Sequence, residues 1–235
     1  MPYENQIFYI LNDTLLLINQ TFDNSKTRKI KLMGKYQSII FLVILLLATL
    51  GDLFVPIIIS VKYPGYNHFI DTISTLGTNE SPVQKFQCVN LIAVGILFII
   101  FSVGQGLAFI QINWYHRLFI LGIVLFGIGS ILAGIFPEDP KGIAETISGK
   151  IHGIASGLGF IFLILNPLWA IWIVEFKDLR QVNITLFILA ILTFFLFMAS
   201  ENIESGILRY TGLFQRLNLI ILYGHLVLNY IWIFR

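Results

Sequence analysis

Six long apolar runs dominate this sequence, at residues 38–61, 86–110, 118–136, 152–174, 182–200 and 217–234. Each is long enough to cross about 30 Å of hydrocarbon as a helix. The runs are continuous rather than alternating, so they read as helices and not as barrel strands, and in lipid a helix satisfies its own backbone hydrogen bonds. The pattern predicts an all-α fold, a polytopic integral membrane bundle of six transmembrane helices. Composition agrees: only 12% of residues are charged, about half the share that a water-facing surface requires. No stretch is polar enough to form a separate soluble domain.

Several function classes drop out at once. A net charge of +2 gives no footprint for nucleic acid. Cys88 is the single cysteine, so neither an internal disulfide nor a thiolate metal cluster is available. There is no phosphate-binding loop, and no GxGxxG opens a helix after a strand.

The chain divides into an N-terminal segment, 1–35, and the six-helix domain, 36–235. Within the segment, residues 7–18 are apolar but interrupted by Asn12 and Asp13. They are too short to span and suit an interfacial amphipathic helix. Met1 to Glu4 lack the basic start of a signal peptide. Lys26, Arg28, Lys29, Lys31 and Lys35 crowd the approach to the first span. Basic residues mark the cytoplasmic side, so the expectation is a multi-pass protein of the cell membrane with both termini cytoplasmic. Six spans also put Trp114, Trp169, Trp172 and Trp232 at that same interface, the depth tryptophan prefers.

Ionisable residues inside a span cost about 2.5–3.5 kcal/mol each and are functional candidates. Asp52 lies within the first span and His225 within the last, at matching depth in the outer half. We expect them to face one another across a hydrated pocket. His152 and Ser156 stand one turn apart on the fourth span, hence on one face. Asp71, Ser74, Glu138, Asp139, Arg209 and Arg216 rim the same side. The inner half offers chiefly Gln105 and Asn229. Polarity concentrated at one depth suits a site entered from outside or from the outer leaflet, whereas a through-channel needs it at both. Capping or turn-tightening is the plainer role for Asp71 and Ser74. Gly77 suits a positive φ. Gly153 and Gly157 form a small-xxx-small pair that reads first as helix packing, as do Gly127, Gly129 and Gly134.

Four short motifs lie in order along the chain: Asp71-Thr-Ile-Ser74-Thr-Leu-Gly77, Phe136-Pro137-Glu138-Asp139, His152-Gly153 and Gly212-Leu-Phe-Gln-Arg216. Through them the sequence resembles an uncharacterised prokaryotic membrane family, number 998 among the domains of unknown function. That resemblance implies six membrane helices and imports no activity. The Ile-Ser-x-x-Gly loop is also remotely similar to one in the Frag/DRAM/Sfk group of six-helix proteins, some of which are linked to lipid-anchor remodelling.

The leading functional expectation is binding of a lipid or small amphiphile in an outward-facing polar pocket, with His152, Arg209 and Arg216 at a phosphate and Asp52 and His225 deeper. Membrane lipids are then the partners, nucleic acid is not, and a homo-oligomer stays open. One alternative is a zinc-dependent intramembrane hydrolase, for which His68, His152 and His225 are the outer histidines. It departs from the expected pattern, since His225 is followed by Asn229 rather than a second histidine; without it no cofactor is expected. The other alternative is a small proton-coupled transporter using the Asp–His pair.

Overall fold

The computed structural model describes residues 36–108, 113–142, 144–174, 177–201 and 205–233. Contacts divide the chain after Ile40, and the architecture below belongs to the unit Phe41–Arg235. The amphipathic segment 7–18 and the basic cluster before the first span lie outside the described residues.

The described residues are mostly helical, with loops between, the longest at 61–83. Helix α1 (Tyr36–Ser60) is followed by α2 (Gln84–Ala108), α3 (Trp114–Ile135), α4 (Ile147–Ile164), α5 (Asn166–Ile173), α6 (Lys177–Ser200) and α7 (Thr211–Ile233). Helices α4 and α5 form one span, Ile147–Ile173, interrupted at Leu165. Pro167 has no N–H for the carbonyl of Leu163, which breaks the ladder there. Asn166 steadies the break by donating to the Phe119 carbonyl on α3, 3.2 Å away. Asn113 and Thr146 cap the starts of α3 and α4, satisfying otherwise free N–H groups.

Five of the spans are long and apolar throughout. The sixth, α7, is long enough at 23 residues but carries Gln215, Arg216, Asn218, His225 and Asn229. Much of this polarity is turned inward and paired. Asn218 donates to the Ala190 carbonyl and to Thr193 on α6, at 2.8 and 2.9 Å. Asn229 and Asn183 exchange reciprocal amide bonds of 3.0 and 2.8 Å. Such pairing lets a polar helix sit at membrane depth. Outward faces are apolar instead: Val43, Leu47, Leu50 and Phe54 on α1, and Leu192 and Phe195 on α6, are exposed, as lipid contact requires.

Glycine sets the closest helix approaches. A Cβ on Gly134 would lie 2.6 Å from the Cys88 carbonyl, and one on Gly129 would lie 2.6 Å from that of Ala155. Gly95 and Gly127 face one another in the same way. The small residues of α3 are therefore used for packing, as the sequence suggested, though on two sides rather than one face: Gly127 and Gly134 toward α2, Gly129 toward α4. Gly153 and Gly157 differ, since a Cβ on either would meet nothing within 4 Å. They border open space, which overturns the packing expectation for that pair. Gly77 is also not a left-handed residue. Positive φ occurs at Gly65, Gly142 and Gly206, and Gly77 is simply buried beside Gln87 and Cys88.

Because the helices alternate in direction, the described parts of the loops, 61–83, 136–142 with 144–146, and 205–210, gather at the end of the bundle away from α7's C-terminus. The other end holds the tryptophans. Trp114 lies beside Trp169, and Tyr115 stacks on Trp172 at 5.7 Å.

Candidate functional site

Arg216, at the start of α7, fastens the first loop. Its Nη1 donates to the carbonyls of His68 (2.7 Å), Asp71 (3.0 Å) and Gly212 (2.9 Å). Its Nη2 reaches Tyr66 Oη at 2.6 Å and His68 Nδ1 at 3.3 Å. His68 Nδ1 accepts, so its Nε2 carries the proton and faces Ser60 Oγ, 3.0 Å away. Burial and the Arg216 charge both hold the His68 pKa below its usual value. A guanidinium held by three backbone carbonyls is a structural clasp, which leaves it poorly placed as a phosphate receptor. Arg209 stays at the surface, donating to Tyr210 Oη. Asp71 Oδ2 accepts the Asn67 N–H at 2.8 Å and tightens the turn, as expected.

The clasp positions Ser74. Ser74 opens a 3-10 turn, Ser74–Gly77, without capping it; its hydroxyl instead lies 3.1 Å from His152 Nε2 on α4. His152 is buried, and its Nδ1 sits 3.1 and 3.0 Å from the carbonyls of Ala133 and Phe136. Carbonyls only accept, so Nδ1 bears the proton in neutral His152. Nε2 is then an acceptor, and Ser74 donates to it. Ser156, one turn further along α4, spends its hydroxyl on the His152 carbonyl at 2.7 Å. Gln215 completes the group. Its Oε1 accepts the Ile73 N–H at 2.6 Å, and because an N–H can only donate, the amide orientation follows. The Gln215 NH2 is left to the cavity.

Three neighbouring spaces, sharing lining residues, surround these groups. A vestibule of ≈ 410 Å³ opens among Thr72, Glu80, Glu138, Asp139, Lys141 and Glu201. Thr72, Glu138 and Glu201 also border a cleft of ≈ 110 Å³ that contains Ser74, His152 and Ser156. The cleft's sides are Gly153 and Gly157 on α4 and Phe194, Phe197 and Met198 on α6. Helices α4 and α6 touch only sparsely, which leaves a gap beside the two glycines, Gly153 being exposed. Deeper still, ≈ 50 Å³ lies between Asp52, Ser74, Ser130, Ser156 and Gln215. At the mouth, Asp139 accepts from both the N–H and the hydroxyl of Thr146, at 2.7 and 2.8 Å, bracing the α4 cap. Glu138 has its pKa pushed up to about 7 by burial, with Asp139 adding to the rise and Lys141 opposing it. Burial and the Glu138 charge also raise the Glu201 pKa, again against Lys141.

The expected pairing of Asp52 with His225 does not form. Asp52 Oδ2 accepts from Tyr223 Oη at 2.5 Å, and both nitrogens of His225 are buried without a hydrogen-bond partner. The reason is helical geometry: residues two apart on α7 project about 200° apart, so the turn that aims Tyr223 at α1 aims His225 elsewhere, beside the Phe119 ring. His68, His152 and His225 occupy three separate environments, and among the described residues no three His, Cys, Asp or Glu side chains converge on a metal position. Of the remaining candidates, Ser74, Glu138, His152 and Ser156 meet in the cleft, with Asp52 beneath and Asp139 at the mouth. Sequence reasoning missed Tyr223 and Gln215 as site residues. Tyr223 was not singled out, and Gln215 was quoted only inside the motif that ends at Arg216.

Fold and site thus define a class: an integral membrane helical bundle with a serine–histidine pair under an acidic vestibule. The sequence profile of a protein of unknown function, DUF998, matches residues 46–230, and the chain belongs to that family. No curated protein and no solved structure matches it, and the remoter likeness to the Frag/DRAM/Sfk group gains no support.

Proposed function

We propose that the chain binds a lipid or related amphiphile, its polar end in the vestibule and its tail in the gap between α4 and α6. The observation that carries this reading is that the vestibule and the cleft adjoin, sharing Thr72, Glu138 and Glu201 in their walls. Carboxylates and hydroxyls at the loop end give way to an aromatic wall beside two side-chain-free positions. The chemistry of the mouth favours a hydroxyl- or amine-bearing headgroup. Glu80, Glu138, Asp139 and Glu201 outnumber Lys141 there, and Arg216 is committed to backbone carbonyls. The transporter alternative is weaker, because beneath Asp52 the core is closed by Leu45, Phe98, Leu222 and Leu226.

We read the basic cluster before α1 as cytoplasmic, and on that reading the vestibule faces outward. Native mass spectrometry of protein released in mild detergent tests the binding reading. A retained lipid is expected, and it should be lost in Gly157→Leu, which fills the gap. Protein that keeps no lipid under any mild release, and takes up none from vesicles, sinks the proposal. Cys88, near the loop end of α2, tests the orientation: an impermeant maleimide should reach it from outside the cell.

A further inference from the structure

We infer that Ser74 is a nucleophile activated by His152, and that the cleft hydrolyses an oxygen ester linking an acyl chain to a hydroxyl-bearing amphiphile. The inference rests on the amphiphile reading above and adds a reaction to it.

Three features carry it. First, the Ser74 hydroxyl donates to His152 Nε2 over 3.1 Å, the reach a general base needs to take a nucleophile's proton. Secondly, the tautomer is imposed rather than averaged. The Ala133 and Phe136 carbonyls hold the Nδ1 proton, the orienting task a carboxylate performs in a serine–histidine–aspartate triad. Those carbonyls also stabilise the imidazolium that forms when Nε2 takes a proton. Thirdly, Gln215 is 5% exposed, is fixed by the Ile73 N–H next to Ser74 in sequence, and borders the same two spaces as Ser74. Its amide N–H is a preorganised donor for an oxyanion. Of the two serines in the cleft, only Ser74 is so poised, since the Ser156 hydroxyl is spent on a carbonyl of its own helix.

The steps balance without a metal or redox partner. Ser74 Oγ bonds to the ester carbonyl carbon while its proton passes to His152 Nε2. The carbonyl oxygen becomes an oxyanion facing the Gln215 amide. The tetrahedral intermediate collapses, the bond to the alcohol oxygen breaks, and that oxygen takes the proton from Nε2. Water from the vestibule then attacks the acyl-serine and gives a proton to Nε2. The C–Oγ bond breaks, Ser74 recovers the proton, and the acid leaves. The net change is ester plus water to acid plus alcohol. The aromatic wall suits an acyl chain, and the acidic mouth disfavours a phosphate-bearing leaving group.

A long-chain alkyl fluorophosphonate tests this on the full-length protein in nanodiscs. Attack by Ser74 on phosphorus expels fluoride, and peptide mapping locates the adduct. We expect it on Ser74, absent from Ser74→Ala, slowed at least 100-fold in His152→Gln and unchanged in His225→Leu. Hydrolysis of 4-nitrophenyl octanoate should fall in the same order. The wild-type mapping needs no variant to fold: no adduct, or an adduct only on another serine, overturns the inference. The two readings fail separately. Retained lipid without a Ser74 adduct removes the chemistry and leaves the binding; neither lipid nor adduct removes both.

Discussion

His152 and His225 are both imidazoles buried at 4% and 0% exposure on membrane helices, and they share almost nothing else. His152 sits at the loop end with all its ring valences used: two carbonyls on one nitrogen and a hydroxyl on the other. His225 sits among packed aromatic and aliphatic side chains with neither nitrogen engaged. Both were candidates in the sequence, His152 at the opening of its span and His225 deeper. What separates them is the supply of partners, which the loops provide at one end and the packed core withholds at the other. A buried polar group is informative when its surroundings are arranged to use it.

The sharpest test of that contrast is paired substitution. His152→Leu removes the side chain that bridges Ser74 to the end of α3, and should destabilise the bundle by about 2–3 kcal/mol through desolvated, unpartnered groups. His225→Leu removes two unsatisfied nitrogens and should be neutral, or stabilising by about 1 kcal/mol. Equilibrium unfolding in bicelles reads both. Equal losses would erase the distinction between the two ends.

Tyr223 and Asp52 mark where the polar region stops. Tyr223→Phe strips the one hydrogen bond from a buried carboxyl and should cost about 2 kcal/mol. Asp52→Asn keeps an acceptor for the phenol and should cost under about 1 kcal/mol. The same unfolding assay separates them. If Asp52→Asn proves the more damaging, the carboxyl has a role that its bond to Tyr223 does not describe.

How legible all this was follows from the range of the forces involved. Apolar runs report on each helix separately, and six spans could be read directly from them. The four tryptophans fell at one end for the same local reason. That α3 packs through its small residues was also visible, but not that they serve two sides, Gly127 and Gly134 toward α2 and Gly129 toward α4. Pairings across the bundle were not visible. The rotation of α7 decides whether Tyr223 or His225 meets Asp52, and hydropathy carries no information about that angle. Ser74 looked like a turn cap because its neighbours make a turn, and only the approach of α4 gives its hydroxyl a better acceptor. Gly153 and Gly157 have the same spacing as a packing motif, but the partner helix is not there.

That gap supplies the next test. Gly157→Leu points a side chain into open space, so unfolding should shift by no more than about 0.5 kcal/mol. Occupancy by lipid should nonetheless fall several-fold, as measured by native mass spectrometry. A stability loss as large as that expected for Gly129→Leu, whose Cβ meets a backbone carbonyl at 2.6 Å, would show that α4 is packed there after all.

The smallest effect concerns Glu138 at the mouth. Its pKa lies near 7, above the ordinary carboxylate value of 4.5 that the unfolded chain retains. Between those values the folded protein holds a proton that the unfolded chain releases. Stability must therefore decline as pH rises through the window from about 4.5 to 7, and Glu138→Gln should flatten that slope. The sign for ligand binding is the reverse. Above pH 7 Glu138 is charged, and a cationic amphiphile should bind about threefold more tightly at pH 8 than at pH 6, the effect of roughly one screened surface charge. Glu201, raised partly by the charge on Glu138, should titrate lower once Glu138 is made neutral. Isothermal titration with an alkylamine at the two pH values reads the binding term. A pH-independent affinity that Glu138→Gln leaves unchanged would mean that the headgroup settles away from the acidic mouth, and would move the polar end of the site toward Ser74 and His152.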